Sequence, residues 1–367
     1  MTKYLIYIVF ALFCLLVSLI QYFVKKKKIQ FILFCSILLF YFLLSILKSS
    51  NVGTDSNAYY DHYYVIARDQ SFLKIMNSVK PEFLYYGIEI LFSKVLSLNK
   101  IFFDIFNFLI IVGCLFFAFR KFENSCVYLS CYLFIGFFCM SFSGIRQAMA
   151  MAICVLAMIL FSKFNFKKRI TKYLAYYLLN FCAIMFHVSS AICLLIPLIM
   201  LIKLKEYQIP WILLFFIPMC YIFPKLYILL SSFLDLAYQP WPSRISFKMI
   251  VIIVTIAIFY LIFYSKISDR LLKITKFERI SFSVDIKNTF LLLFMCAALM
   301  SFNIATTTFT RLAMFFYLPQ FYLYIKVCET HKNSTVKFLL TTTLLICFAL
   351  YFVYDCRSWN IAPYEIR

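Results

Sequence analysis

The sequence predicts an all-α fold, a polytopic transmembrane helical bundle of about twelve membrane helices that forms one integral membrane domain over residues 1–367. Two observations support this prediction. Apolar residues make up 65% of the 367 positions, with 46 Phe and 27 Tyr, while charged residues make up only 14%. Long apolar runs also recur over the whole length, and a helix needs roughly 20 such residues to cross about 30 Å of hydrocarbon.

The apolar runs place the membrane helices one after another. The first run is too long for a signal-peptide core and is followed by four lysines, so we expect it to remain as a membrane helix. The predicted spans are 4–24, 29–47, 101–119, 125–142, 145–162, 172–187, 188–202, 208–223, 247–264, 288–304, 312–327 and 338–354.

The basic residues predict the orientation of these spans. Most lysines and arginines fall in six short links, which the positive-inside rule assigns to the cytoplasm. Those links lie at 25–28, 120–121, 163–172, 203–205, 266–287 and 326–337. Both termini are then expected on the outer side. The same rule accounts for the net charge of +21, so we predict no nucleic-acid partner.

Two segments leave the topology open. The apolar stretch between Lys172 and Lys203 is too long for one ordinary span and too short for two, which favours a short hairpin with its apex near His187. The alternative is one long tilted helix. A large outer loop is predicted at 48–100. Within it, the pattern of residues 83–98 predicts an amphipathic helix lying in the outer interface. If this segment crossed the membrane instead, every later side assignment would invert.

The outer loop opens with NVGTDSNAYYDHYY, which is dense in aspartate and tyrosine. Its first residues suit a turn in which a carboxylate caps backbone N–H groups: Gly53, Thr54 and Asp55. The tyrosines that follow, Tyr59 and Tyr60, offer ring faces on which sugars stack, and Asp61 offers oxygens to sugar hydroxyls. The alternative is an interfacial aromatic belt beside a solvated turn.

Two arginines are predicted at outer helix ends. Arg146, in SFSGIRQAMAMA, starts an inward-running helix, with Ser143 as the expected N-cap. Arg311, in TTTFTRLAMFF, has the same expected placement. Free N–H groups and a guanidinium fork favour an anion such as pyrophosphate at each place. The alternative is that each arginine anchors its helix end at the lipid headgroups.

His187 is the candidate for proton transfer, because an imidazole titrates near neutral pH. The alternative is a packing residue in an apolar hairpin. The 14 cysteines lie mostly in apolar runs and form no C-x-x-C pair, so we predict neither a metal site nor a disulfide framework. No cofactor is predicted.

At these residues the sequence resembles the EpsG family of bacterial polysaccharide polymerases, which are related in role to the Wzy O-antigen polymerases. The similar segments occur in the usual order of the family between about residues 50 and 320. They are NVGTDSNAYY, the Pro81–Glu82 helix start, SGIRQAMAMAI, AIMFHVSSAICLLIP and TRLAMFFYLP.

The resemblance implies a multi-pass enzyme of the bacterial cytoplasmic membrane that joins oligosaccharide units carried on undecaprenyl pyrophosphate. The enzyme would act at the outer face without a metal and would release undecaprenyl pyrophosphate. A chain-length regulator and a flippase of the same pathway would be its partners. Together with the reasoning above, it points to catalytic His187, Asp55 and Glu82, to pyrophosphate-binding Arg146, Gln147 and Arg311, and to substrate-binding Gly53, Thr54, Tyr59, Tyr60, Asp61 and Ser189.

Two other functions share this topology. A flippase or other transporter of lipid-linked sugars would keep ionisable residues near the middle of the membrane, whereas the predicted spans are nearly free of charge. A ligase that transfers a finished glycan to another acceptor would use much the same leaving-group chemistry.

Overall fold

The computed structural model describes residues 4–69, 74–75, 82–163, 169–233, 247–265, 272–274, 276–278, 284–302, 308–359 and 361–366. Within these ranges the regular structure is helical and no β-strand occurs. The predicted all-α helical bundle is therefore confirmed for the part of the chain that the structure describes. Pro81, from the predicted helix start, lies outside the described residues.

The chain divides into two compact units, of which the larger comprises residues 1–194 and 342–367. Two of its helices, Ser56–Asp61 and Phe83–Ile90, each continue through a π-helical turn, at His62–Ile66 and Leu91–Val95. The helices of this unit are α1 (Leu5–Phe23), α2 (Lys27–Leu47), α3 (Ser56–Asp61), α4 (Phe83–Ile90), α5 (Lys100–Phe119), α6 (Ser125–Ser143), α7 (Ile145–Lys163) and α8 (Arg169–Phe186).

The smaller unit comprises residues 195–341. A 3₁₀ helix at Val188–Leu195 leads into it. Its helices are α9 (Ile196–Met200), α10 (Ile209–Phe233), α11 (Phe247–Phe263), α12 (Val284–Ser301), α13 (Thr308–Ala313) and α14 (Leu318–Thr330), and α15 (Ser334–Ser358) returns the chain to the larger unit.

Seven helical segments among the described residues are long and apolar enough to cross a membrane. They are Leu5–Phe23, Lys27–Leu47, Lys100–Phe119, Ser125–Ser143, Ile145–Ser162, Glu206–Leu226 and Ser334–Ser358. The other predicted spans correspond to shorter apolar helices, including Ile170–Phe186, Val188–Met200, Met249–Phe263 and Ile286–Ser301. The chain is thus a helical membrane protein, and the count of about twelve spans stays a prediction.

Helix α6 forms the centre of the larger unit, because all residues of its apolar stretch are buried. A helix that is apolar on every side favours such a position. Three polar contacts join it to α1: the Ser18 and Ser130 hydroxyls lie 3.1 Å apart, and the Gln21 side chain donates to Ser125 Oγ at 3.0 Å and accepts from the Cys126 backbone N–H at 2.9 Å. Between helices in lipid, such hydrogen bonds add to close packing.

The chain reverses direction at His187. Helix α8 ends at Phe186, and the Tyr176 hydroxyl on α8 donates a 2.6 Å hydrogen bond to the carbonyl oxygen of Cys193. In one straight helix these two residues would lie roughly 25 Å apart along the axis, at about 1.5 Å per residue. A single continuous helix over 172–202 is therefore excluded, and the reversal leaves His187 at the end of α8.

The loop after α2 is held tightly against the end of α6. Lys48 Nζ donates to the carbonyl oxygens of Val52 and Phe142 and to Ser56 Oγ, at 3.2, 2.5 and 2.9 Å. Gly53 lies inside this turn with φ of +112°, and a Cβ there would overlap the Phe142 carbonyl oxygen. The turn consequently requires glycine for both its conformation and its close approach.

The C-terminal segment closes over the same loop. The backbone N–H of Ser49 donates to the Glu365 carbonyl oxygen at 2.7 Å, and the Asn51 side chain donates to the Glu365 carboxylate at 3.1 Å. The Tyr7 hydroxyl donates to the Ile361 carbonyl oxygen. The first turn of α1 and the C-terminal segment therefore lie at the same end of the larger unit as the Gly53 turn.

We expect Gly53→Ala to lower the free energy of unfolding by about 2 kcal/mol or more, because alanine meets both a positive φ and the Phe142 carbonyl. Gly87→Ala is the matched control, since a methyl group there meets no atom within 4 Å and the residue lies in a helix. Thermal unfolding of the detergent-solubilised variants measures both. Equal midpoints for the two variants would contradict this account of the turn.

Candidate functional site

The Glu82 carboxylate joins three parts of the larger unit. Its Oε2 accepts from Arg146 Nη1 at 2.5 Å, and its Oε1 lies 2.6 Å from His187 Nδ1. The backbone N–H of Val188 also donates to Oε1, at 3.1 Å. Glu82 is 8% exposed, so this is a buried carboxylate with three partners. A predicted anion-binding arginine, a predicted base and a predicted carboxylate thus lie in one site.

Each of these side chains lies at a helix end. Glu82 directly precedes α4, Arg146 is in the first turn of α7, and His187 directly follows α8. Helix α7 packs along α8, and α8 also contacts α4. Because the three helix ends lie together, residues far apart in the sequence reach the same carboxylate.

Tyrosines surround the Arg146 guanidinium. Its Nε donates to the Tyr59 hydroxyl at 3.3 Å, and Nη1 donates to the Tyr86 hydroxyl at 2.5 Å. The guanidinium carbon lies 5.5, 5.9 and 5.2 Å from the ring centres of Tyr59, Tyr85 and Tyr86. Cation–π attraction adds to the hydrogen bonds. The residue is therefore fixed in place, and Nη2 is the guanidinium nitrogen without a described hydrogen bond.

The electrostatics keep Glu82 ionised and the tyrosines neutral. Burial alone would raise the pKa of Glu82, but the hydrogen bond and charge of His187, the charge of Arg146 and the Val188 N–H together lower it below its ordinary value. Burial raises the pKa of Tyr86 to about 12, although Arg146 opposes the shift. Burial likewise raises the pKa of Tyr59. Near neutral pH Glu82 is thus ionised beside the Arg146 guanidinium.

His187 presents its Nδ1 to Glu82, and its other ring nitrogen has no hydrogen bond in the described part of the chain. The Glu82 carboxylate lies at Nδ1, which favours the tautomer with its proton there. Nε2 is then the basic nitrogen, and 19% of the side chain is exposed. A carboxylate that orients an imidazole in this way is a recurring arrangement for general-base catalysis.

Other predicted residues lie around the Gly53 turn. The Thr54 backbone N–H donates to Ser143 Oγ at 3.2 Å, and that hydroxyl donates to the Trp359 carbonyl oxygen at 3.1 Å. Ser143 therefore ties the loop to the C-terminal segment, and its hydroxyl is used there rather than in the expected N-cap. Asp55 directly precedes α3, and its charge adds to the effect of burial in raising the pKa of Tyr59.

Four further candidates differ in exposure. Tyr60 is 42% exposed with its ring 4.7 Å from that of Tyr64, and Asp61 is exposed at the end of α3. Gln147 is buried in α7. The Ser189 hydroxyl, two residues after His187, is buried without a hydrogen-bond partner in the described part of the chain. Tyr60 and Asp61 are thus the accessible members of this set.

Arg311 does not start a long helix, which corrects the sequence-based expectation. It lies, exposed, in the last turn of the six-residue α13 in the smaller unit. The following long helix, α14, begins at Leu318 with Pro319 in its first turn. Proline favours that position because the first turn needs no donor from it. A role for Arg311 beside Arg146 stays a prediction.

Sequence reasoning missed Tyr85 and Tyr86 as members of the site. A signal was present, because positions 82, 85, 86 and 89 follow the spacing of one helical face. Both carboxylates on α4 face protein: Glu89 is fully buried, while Phe83 and Leu91 are 48% and 44% exposed. The polar side of this amphipathic segment is therefore turned inward, with Glu82 at Arg146 and His187 and Glu89 at His62.

No group of three or more His, Cys, Asp or Glu side chains is arranged to hold a metal ion within the ranges that the structure describes. A family model described as the EpsG family matches residues 31–366 of the chain. No curated protein and no solved structure matched it in the other two comparisons. The match covers the whole site, from the Gly53 turn to the C-terminal segment.

The lowered pKa of Glu82 predicts a pH-dependent contribution to stability. Because the pKa is lower in the folded protein, the ionised carboxylate stabilises the fold above its ordinary pKa of 4.5, and this contribution is lost as the pH falls through the lowered value. Glu82→Gln removes the titration. We expect the wild type to exceed this variant in thermal midpoint by more at about pH 7 than at about pH 3. Asp61→Asn, an exposed carboxylate, is the control, and a Glu82→Gln deficit independent of pH would contradict the assignment.

Proposed function

This chain belongs to the EpsG family of Wzy-like polysaccharide polymerases, and from this membership we propose that it joins oligosaccharide repeat units carried on undecaprenyl pyrophosphate. The products would be O-antigen, capsule or exopolysaccharide. The observation that carries the proposal is the Glu82 carboxylate, which holds a guanidinium on one oxygen and an imidazole on the other. Such a site supplies the two groups that glycosyl transfer from a pyrophosphate donor needs.

The proposed reaction is a displacement at the anomeric carbon of the growing chain. A hydroxyl oxygen at the non-reducing end of the incoming unit forms a bond to that carbon. The bond from the carbon to the phosphate oxygen breaks, and its electron pair leaves with undecaprenyl pyrophosphate. The hydroxyl proton passes to His187 Nε2 and then to solvent. The reaction needs no oxidant and no reactant other than the two lipid-linked units.

Arg146 is proposed to stabilise the charge that develops on the leaving pyrophosphate. A preorganised donor in a water-poor site typically contributes about 3 kcal/mol to such a transition state. In the described structure Nη2 is the guanidinium nitrogen left for the pyrophosphate, because Nε and Nη1 donate hydrogen bonds to Tyr59, Tyr86 and Glu82. The pyrophosphate is thus expected to use Nη2 rather than the complete bidentate fork, with Gln147 and Arg311 as further candidates.

His187 is the preferred base, and Glu82 is its positioning residue. Both Glu82 oxygens already accept hydrogen bonds, and its low pKa makes it a weak base for a sugar hydroxyl. Asp55 remains a second candidate for the base. The His187 imidazole, oriented by a buried carboxylate at Nδ1, is better placed to take the proton through its other ring nitrogen.

Sugar binding is proposed at the entrance beside this site. Tyr60 and Asp61 are exposed on α3, on the same short helix as Tyr59, which contacts Arg146. Exposed tyrosine rings stack on sugars, and the carboxylate accepts hydrogen bonds from hydroxyls. Thr54 and Ser189 complete the proposed substrate contacts, and Gly53 shapes the turn that carries Thr54.

The proposed location is the outer face of a bacterial cytoplasmic membrane, with both termini on that side. The two ends of the chain and the Glu82 site belong to the same unit, and the basic links support an outer position for the termini. The lipid bilayer is then one partner of the protein, and a flippase and a chain-length regulator of the same pathway are others.

Charge placement favours this proposal over a transporter. In the seven candidate spans, the charged residues lie near the ends of the spans; the buried Lys100–Asp104 pair, for example, lies at the start of α5. Transporters keep ionisable groups near the middle of the membrane, where they bind ions or substrate.

Deleting the gene tests the function directly. A polymerase mutant is expected to carry single repeat units on the final acceptor, because ligation continues without polymerisation. Gel electrophoresis of the surface glycan measures this. Undecorated acceptor would contradict the proposal and indicate a ligase or a flippase, and lipid-linked units accessible from outside would then exclude the flippase.

Two substitutions test the assigned roles in the complemented deletion strain. We expect Arg146→Lys to lower the polymerisation rate by roughly 100-fold, because an ammonium does not reproduce the contacts of the planar guanidinium. His187→Gln is expected to cost about 100-fold or more through loss of the base. Arg120→Lys and His331→Gln are the matched controls, because neither residue is a described partner of Glu82, Arg146 or His187. Full polymer length at normal expression for either site variant would contradict its role.

A further inference from the structure

A second histidine–carboxylate pair is formed by a glutamate of α4, the helix that Glu82 directly precedes. Glu89 follows Glu82 by two helical turns on α4, and its Oε2 lies 2.8 Å from His62 Nδ1 in the π-helical turn after α3. Each carboxylate on this helix thus faces a histidine from another segment. The proposed reaction uses the first pair and leaves the second without a function.

The second pair is unusual in its burial. The Glu89 side chain is 1% exposed, and neither of its oxygens has a well-aligned hydrogen bond in the described structure. The contact with His62 is close enough for an ion pair, but the ring N–H does not point along it. A buried carboxylate with one partner is costly, so stability alone is a poor reason to retain it.

Tyr86 connects this pair to the active-site candidate. The imidazole ring of His62 packs on the Tyr86 ring, with centroids 4.9 Å apart and planes tilted by 53°. On its other side the Tyr86 hydroxyl accepts the 2.5 Å hydrogen bond from Arg146 Nη1. The His62 ring therefore packs on Tyr86, the residue whose hydroxyl orients the Arg146 guanidinium.

We propose that His62 and Glu89 are positioning residues that hold the Tyr86 ring, and through it the Arg146 guanidinium, in place for the leaving pyrophosphate. This inference rests on the proposed polymerase function. Glu89 holds His62 through the 2.8 Å contact, His62 holds the Tyr86 ring by packing, and the Tyr86 hydroxyl holds Nη1. Neither His62 nor Glu89 touches the substrate.

A double-mutant cycle distinguishes positioning from general stabilisation. The variant His62→Ala/Glu89→Gln removes the ring and the buried charge together, so that no charge is left unpaired. It is made in the wild type and in Tyr86→Phe, where the hydroxyl that contacts Arg146 is absent. The assay is kcat/KM of purified protein on lipid-linked repeat units extracted from the deletion strain.

We expect the double substitution to lower kcat/KM about tenfold in the wild type, the size of one lost hydrogen bond to a charged group. In the Tyr86→Phe background we expect less than about twofold further loss, because the connection is already broken. The same fold-loss in both backgrounds, or no loss in either, would overturn the proposal.

A second buried ion pair supplies the control. Lys100→Met/Asp104→Leu removes the 2.6 Å pair on α5, whereas Tyr86 lies on α4. Any loss it causes is expected to be equal in both backgrounds. Gel filtration of each variant in detergent verifies folding. A wild-type protein without polymerase activity would refute the proposed function, whereas an active protein without coupling would refute only the positioning role.

Discussion

A buried carboxylate must have partners, and this requirement organises the site around Glu82. The cost of removing its charge from water is offset by a guanidinium, an imidazole and a backbone N–H. Those partners lie on α7 and at the break after α8. Satisfying one side chain therefore aligns three helix ends, and the same contacts set the protonation and orientation of the groups proposed to act on the substrate.

The remainder of the larger unit supplies a rigid frame for these helix ends. In an apolar environment helices gain little from burying more apolar surface, so close packing and a few polar contacts determine their arrangement. The fully buried α6 is joined to α1 by serine and glutamine side chains. At its end, Lys48 and Ser143 hold the Gly53 turn, and the C-terminal segment covers that loop.

The geometry changes the roles first expected of two residues. Glu82 was predicted among the bases, but both oxygens are occupied and its pKa is low, so it is better suited to orient His187. Arg146 was expected to present a free fork, yet tyrosines and Glu82 occupy Nε and Nη1. A guanidinium held in this way loses little conformational freedom when an anion binds.

The helical membrane class, the family resemblance and most helix bounds could be predicted from the amino-acid sequence, because apolar runs and basic links are local patterns. The position of Arg146 at a helix start could be predicted in the same way. The meeting of Glu82 with Arg146 and His187, which lie 64 and 105 positions away, became visible only in the folded chain. Periodicity showed which residues of α4 share a face, but not that this face meets protein. Local spacing carries no information on contacts between segments that the chain brings together from a distance.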